Sequence, residues 1–183
     1  MKLMLLILRL FTVYSFVNRA STKSPTRLTA AVVTIEVVGK AGGGESSLWA
    51  SGINEYSKRL KPHLTLSHNF HKTDEAQLKK FNDLLGKRHG LIVLDPLGLK
   101  VTSEEFATQM YSKLESGGNR LSFIIGGASG LPVSLQPHNL PKNDYTACLS
   151  LSDLTFTHSF VRLLLTEQIY RSTQIKAATG YHK

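Results

Sequence analysis

The chain of 183 residues has one cysteine, Cys148, so no internal disulfide can form and a disulfide-stapled secreted domain is excluded. Cys148 lies among small and apolar residues and reads as an inert core thiol rather than a nucleophile. The glycines at 42–44 are not followed by Gly-Lys-Ser/Thr, so they are no P-loop, and a flexible surface loop is the simpler reading. The dinucleotide spacing Gly-x-Gly-x-x-Gly is also missing, which argues against a nicotinamide cofactor. His68 and His71 sit three apart with His63 nearby; three apart on a strand means opposite faces, so they do not form a metal pair. His89 and His138 read as surface residues. No internal repeat is present, and no low-complexity tract outside the leader.

Acid is absent from residues 1–35, which hold Lys2, Arg9, Arg19, Lys23 and Arg27. Of the formal charge of +9, only +4 therefore belongs to the rest of the chain, where 17 basic residues face 13 acidic ones. That mild excess permits an RNA partner without proving one. From Leu154 onward the bias is stronger, with Arg162, Arg171, Lys176 and Lys183 against Glu167 alone. Polar groups suited to catalysis or RNA contact (His158, His182, Arg162, Arg171, Tyr170, Tyr181) crowd into this terminus around one apolar helix, where a frayed end is the usual case.

The apolar, basic-started run of residues 1–17 is broken by Arg9 and is too short for a membrane span. Residues 18–30 are rich in Ser, Thr and Arg without acid, the composition of a transit peptide. Residues 1–30 are therefore expected to be a cleaved targeting leader to an organelle, a plastid rather than a mitochondrion. Residues 31–183 are expected to be one domain, with no stable membrane association once mature.

The body alternates strand and helix. The β-branched run Ala31–Val38 predicts a buried strand, Ser47–Leu60 a helix stopped by Pro62, Leu64–Phe70 a strand and Thr73–Leu85 a helix. Gly90–Asp95 predicts a buried strand ending at Pro96. Thr102 and Glu105 form a capping box that opens a helix closing at Gly117-Gly118. Leu121–Ile125 and Ala147–Leu151 predict strands, with a short helix or turn near Pro132–Gln136 between them; Ser159–Ile175 predicts the last helix. This order implies an α/β fold, a mostly parallel sheet flanked by helices on both faces.

Several positions invite chemistry. Gly126-Gly127-x-x-Gly130 follows a strand and is either a ligand loop or a tight turn. The segment Leu151-Ser152-Asp153-Leu154-Thr155-Phe156 either caps the last helix or grips a polar ligand with its backbone. His158 and Arg162 are four apart and share a helix face, as do Glu167 and Arg171, which can be an ordinary ion pair. Val161, Leu165 and Ile169 form the stripe toward the core.

Taken in order, these motifs resemble one family. Leu91-Ile92-Val93-Leu94-Asp95 with Gly98 soon after, Phe123-Ile124-Ile125-Gly126-Gly127-Ala128-x-Gly130, and Leu149-Ser150-Leu151-Ser152-x-Leu154-Thr155-Phe156-x-His158 are followed by Arg162, Glu167-Gln168-Ile169-Tyr170-Arg171 and Tyr181-His182-Lys183. Val33-Thr34-Ile35-Glu36-Val37-Val38-Gly39-Lys40 and Glu55-Tyr56-x-Lys58-Arg59-Leu60 match its start. The set resembles the RlmH family, bacterial-type large-subunit rRNA pseudouridine N3-methyltransferases of the SPOUT class, over about residues 31–183.

The resemblance implies a SPOUT domain with a C-terminal trefoil knot, a homodimer, S-adenosylmethionine as cofactor, rRNA within the ribosome as substrate and no metal. It places the cofactor at Leu94, Gly126, Leu151, Ser152, Asp153, Leu154, Thr155 and Phe156. It assigns catalysis to His158, Arg162 and His182, and RNA contact to Arg171 and Tyr181. The family usually has proline where this chain has Thr157, a change that frees φ just before His158. Two other readings compete. One is a non-catalytic RNA-binding ribosome-assembly factor on the same fold, which Thr157 favours; the other is a nucleotide-dependent oxidoreductase, which the missing fingerprint opposes.

Overall fold

β-Branched residues dominate Val32–Val38, and in the computed structural model, which describes residues 30–40 and 45–182, this run is strand β1. Helix α1 (Glu45–Leu60), strand β2 (Thr65–His71), α2 (Asp74–Gly86), β3 (Gly90–Lys100), α3 (Ser103–Ser116), β4 (Arg120–Ile125), β5 (Thr146–Ser150) and α4 (His158–Lys176) follow. Two single-turn 3-10 helices, Val133–Leu135 and Pro137–Asn139, lie between β4 and β5. The leader and the glycines at 42–44 fall outside the described residues.

The strands form one sheet in the order β2-β1-β4-β3-β5, each neighbouring pair parallel. Parallel neighbours need crossover connections, which the helices supply. Alternation decides which helix covers which face. Val33, Ile35 and Val37 of β1 join Ile92, Phe123 and Leu149 on one side, packed with Leu60 of α1, Phe106 and Met110 of α3, and Leu165 and Ile169 of α4. Leu91, Val93 and Ile124 face the other way, onto Phe81 and Leu84 of α2 and Leu135. Each such side chain taken fully out of water contributes about 1.5–3 kcal/mol. The capping box at α3 forms in both directions: Glu105 N–H donates to Thr102 Oγ1 at 3.2 Å, and Thr102 N–H to the Glu105 carboxylate at 2.8 Å.

Two expectations need correction. Strand β3 does not end at Pro96 but runs to Lys100, because its register against β5 shifts between Leu94 and Leu99. Pro96 falls in that irregular stretch, where its missing N–H breaks no ladder bond. His89 is not a surface residue: it is half-buried, with Nε2 3.1 Å from Ser122 Oγ, and burial lowers its pKa.

Candidate functional site

Parallel strands end on one edge, where ligands of open α/β sheets bind. There the loops leaving β3, β4 and β5 enclose a cleft of about 600 Å³. Leu94 and Asp95 lie where the β3 register shifts, Gly126 to Leu131 follow β4, and the run from Ser150 to His158 ends β5 and leads into α4.

The β4 turn is built for close approach. Gly130 N–H donates to Gly127 O at 3.0 Å, and Gly130 has φ +84°, a left-handed value that glycine tolerates. A Cβ on Gly126 would sit 2.6 Å from the carbonyl carbon and oxygen of Gly130, which are backbone and cannot yield. The block is thus both a tight turn and a cleft wall.

The 151–156 loop is shaped by its own hydroxyls. Ser150 Oγ donates to Ser152 O at 2.9 Å, and Leu154 N–H donates to Ser152 Oγ at 3.0 Å. Phe156 packs edge-on to Phe160, which meets Trp49 of α1, so the end of the loop is tied to two helices. Thr157 then caps α4. Its hydroxyl accepts from Phe160 N–H at 3.4 Å, and its φ of −65° is the value a proline ring would fix. The freedom gained by losing proline is therefore not used. His158 begins α4 and lines the cleft, its Nε2 3.5 Å from where a Cβ on Gly39 would lie.

Of the positions that the resemblance gave to the cofactor and to catalysis, Leu94, Gly126, Leu151, Ser152, Leu154, Thr155, Phe156 and His158 line the cleft. Asp153 does not: it is exposed and paired with Lys100. Asp95 takes its place as the cleft carboxylate, accepting from Leu97 N–H at 2.8 Å. Its place at the end of the apolar run Gly90–Asp95, just before Pro96, was the available signal. Leu131 and Val161 also line the cleft without having been singled out as ligand contacts. Cys148 is half-buried and lies outside the cleft lining; burial and then Asp95 push its thiol up to about 12, which keeps it protonated.

Arg162 points elsewhere. It is buried, its guanidinium 4.7 Å from the Phe70 ring centre, beside His68. Arg171, Tyr181 and His182 gather at the other end of α4, roughly 20 Å along the helix from His158 at 1.5 Å per residue. Glu167 accepts from Arg171 Nη2 at 2.7 Å and from the Tyr181 hydroxyl at 3.1 Å. Arg171 also stacks on the Tyr181 ring at 4.9 Å. His182 Nε2 lies 2.7 Å from Glu104, and this bond, with the α3 amino end behind it, holds the Glu104 carboxyl down to about 2. Burial, followed by Tyr56 and Glu167, raises the Tyr181 pKa. Within one chain these three residues do not reach the cleft. Among the described residues no group of three or more His, Cys, Asp or Glu is arranged to hold a metal ion, and no helix is long and apolar enough to cross a membrane.

A family model described as "Predicted SPOUT methyltransferase" matches residues 32–182. A protein of Protochlamydia amoebophila named ribosomal RNA large subunit methyltransferase H is 45% identical over 130 residues, 71% of this chain and 85% of that protein. The protein of that name in Acetivibrio thermocellus is 38% identical over 166 residues, covering 82% of this chain and 99% of the relative. Its counterpart in Dictyoglomus thermophilum is 34% identical over 159 residues, 82% of this chain and 98% of the relative. The cleft at the carboxyl edge thus sits in a chain that belongs to the SPOUT methyltransferase family, among the ribosomal RNA large subunit methyltransferase H proteins, and is a methyltransferase.

Proposed function

We propose that this protein transfers a methyl group from S-adenosylmethionine to N3 of a pseudouridine in large-subunit ribosomal RNA, working as a homodimer whose C-terminal chain path is the trefoil knot of its family. The observation that carries this reading is the meeting, in one cleft, of a glycine turn closed to side chains, the 151–156 loop and the His158 imidazole. Relatives that bear the name of rRNA large-subunit methyltransferases support ribosomal RNA as the acceptor.

The residues present fit the proposed cofactor. Leu94, Leu131, Leu151 and Phe156 offer apolar walls for a purine, while the backbone at Gly126 and along 151–156 offers amide and carbonyl groups to its polar rim. Among the described residues no Lys or Arg lines the cleft, which suits a cationic sulfonium, and Asp95 supplies the one carboxylate. When bound, S-adenosylmethionine brings a methyl group already activated by its sulfonium. The protein's own work is to place the acceptor in line and keep water out. His158 is the cleft residue able to take the imide proton from N3.

Support for the homodimer comes from the far cluster. Arg171, Tyr181 and His182 are the groups expected to face RNA, yet none of them lines the cleft of its own chain. A second copy can bring them to it. Mapping of rRNA modifications in cells lacking the protein tests the whole reading. The expected result is loss of one N3-methylpseudouridine in large-subunit rRNA; an unchanged map would overturn it.

A further inference from the structure

In this all-parallel sheet the helix carboxyl ends and the strand starts share the edge opposite the cleft. Backbone bonds join its corners: Thr65 N–H donates to Ala31 O, Val32 N–H to Asn119 O and Leu91 N–H to Tyr145 O, all within 2.9 Å. His63, after α1, lies 3.4 Å from Gln174 near the end of α4.

Positive charge collects along this edge. The corner after α1 carries Lys58, Arg59 and Lys61, and the corner after α2 carries Lys87 and Arg88. Lys113 and Arg120 flank the turn between α3 and β4, Lys142 precedes β5, and Lys176 ends α4. Against these nine stand four acids, Glu55, Asp83, Glu115 and Asp144. The cleft edge has the opposite balance: Lys40, Lys72 and Lys100 face Asp74, Glu75, Asp95, Glu104, Glu105 and Asp153. A net charge of only +4 beyond residue 35 therefore hides a molecule with two oppositely charged edges.

Helix macrodipoles explain basic residues in last turns, as at Lys58, Arg59, Lys113 and Lys176. They do not explain Lys61, Arg88, Arg120 and Lys142, which lie in turns or at a strand start. Lys58, Lys61, Arg120 and Lys142 are exposed and pair with no carboxylate among the described residues. Arg88, at φ +53°, is held out over the Tyr145 ring at 5.7 Å.

We propose that this edge is a second RNA-binding surface, gripping phosphates of ribosomal RNA roughly 20 Å from the cleft, the span of a seven-residue strand. The proposal rests on rRNA being the substrate. It answers a difficulty of that reading, since the acidic rim of the cleft repels a polyanion and the grip must come from elsewhere.

The test uses the full chain with Lys58→Ala, Lys61→Ala, Arg120→Ala and Lys142→Ala combined, its fold checked by thermal melting. Binding to large ribosomal subunits and to their naked rRNA is measured across salt concentrations. Each phosphate no longer neutralised by a basic side chain lowers the slope of log K against log salt by about 0.7–0.9, so the slope should fall by about 3 and affinity at low salt by about tenfold or more. S-adenosylmethionine titration of the same variant should match wild type. An unchanged slope would overturn the proposal, as would weakened binding to subunits with naked rRNA binding intact, which would mark a ribosomal-protein contact. Because the readout is RNA binding, a failure to find methylated pseudouridine leaves this result separately legible.

Discussion

His68 on β2 is half-buried, with both ring nitrogens shielded from solvent and neither hydrogen-bonded, against the charged Arg162. Burial first, and the guanidinium second, push it from its ordinary 6.5 down to about 4. Between those values the unfolded chain binds more protons than the folded one. Stability from this site is therefore complete above pH 6.5, declines as pH falls toward 4, and changes no further below that. A shift of this size corresponds to about 3 kcal/mol. His68→Leu removes the titrating group, so its denaturant midpoint should vary less than wild type between pH 6.5 and 4; the same fall in both proteins would contradict the assignment. The sequence placed His68 on a strand and excluded a metal role, but burial and Arg162 were invisible to it. Arg162 shares a face with His158 by spacing, yet its longer side chain folds over Phe70 instead of entering the cleft.

At the scale of elements, local signals translated well where they are local. The capping box at Thr102, the stop at Gly117 and the β-branched strand β1 all appear as read, because each is decided by residues within a few positions of each other. Strand β3 exceeded its expectation because pairing with β5, about fifty residues on, overrides the usual stop at Pro96. The loop 151–156 was recognisable from the order of motifs rather than from composition. Its joint with α4 carries a prediction. Thr157 already holds a proline-like φ of −65°, and its N–H donates to no acceptor among the described residues. Thr157→Pro should lose a long capping bond and gain from a stiffer unfolded chain, each worth about 1 kcal/mol or less. Methyl transfer should then stay within about twofold of wild type. A large loss of transfer, with melting temperature unchanged, would show that the threonine hydroxyl does more than cap.

Over the whole molecule, crowding of polar residues in the last thirty positions turned out to be two places. Helix α4 is 19 residues long, so its ends lie roughly 28 Å apart. One end delivers His158 to the cleft, and the other gathers Arg171, Tyr181 and His182 with Glu104 and Glu167. Sequence distance could not separate them, because a helix converts a short stretch of chain into a long span. The charge segregation between edges was hidden for a related reason: only the parallel topology brings the helix ends together. The most direct test of the account is calorimetric titration of S-adenosylmethionine into wild type and Gly126→Ala. A Cβ at 126 meets the Gly130 backbone at 2.6 Å and must deform the cleft wall without touching either core. Saturable binding by wild type, lost or weakened at least tenfold in a Gly126→Ala protein that still melts cooperatively, is the predicted result. No binding by wild type, or equal binding by both, would contradict the placing of the methyl donor in this cleft.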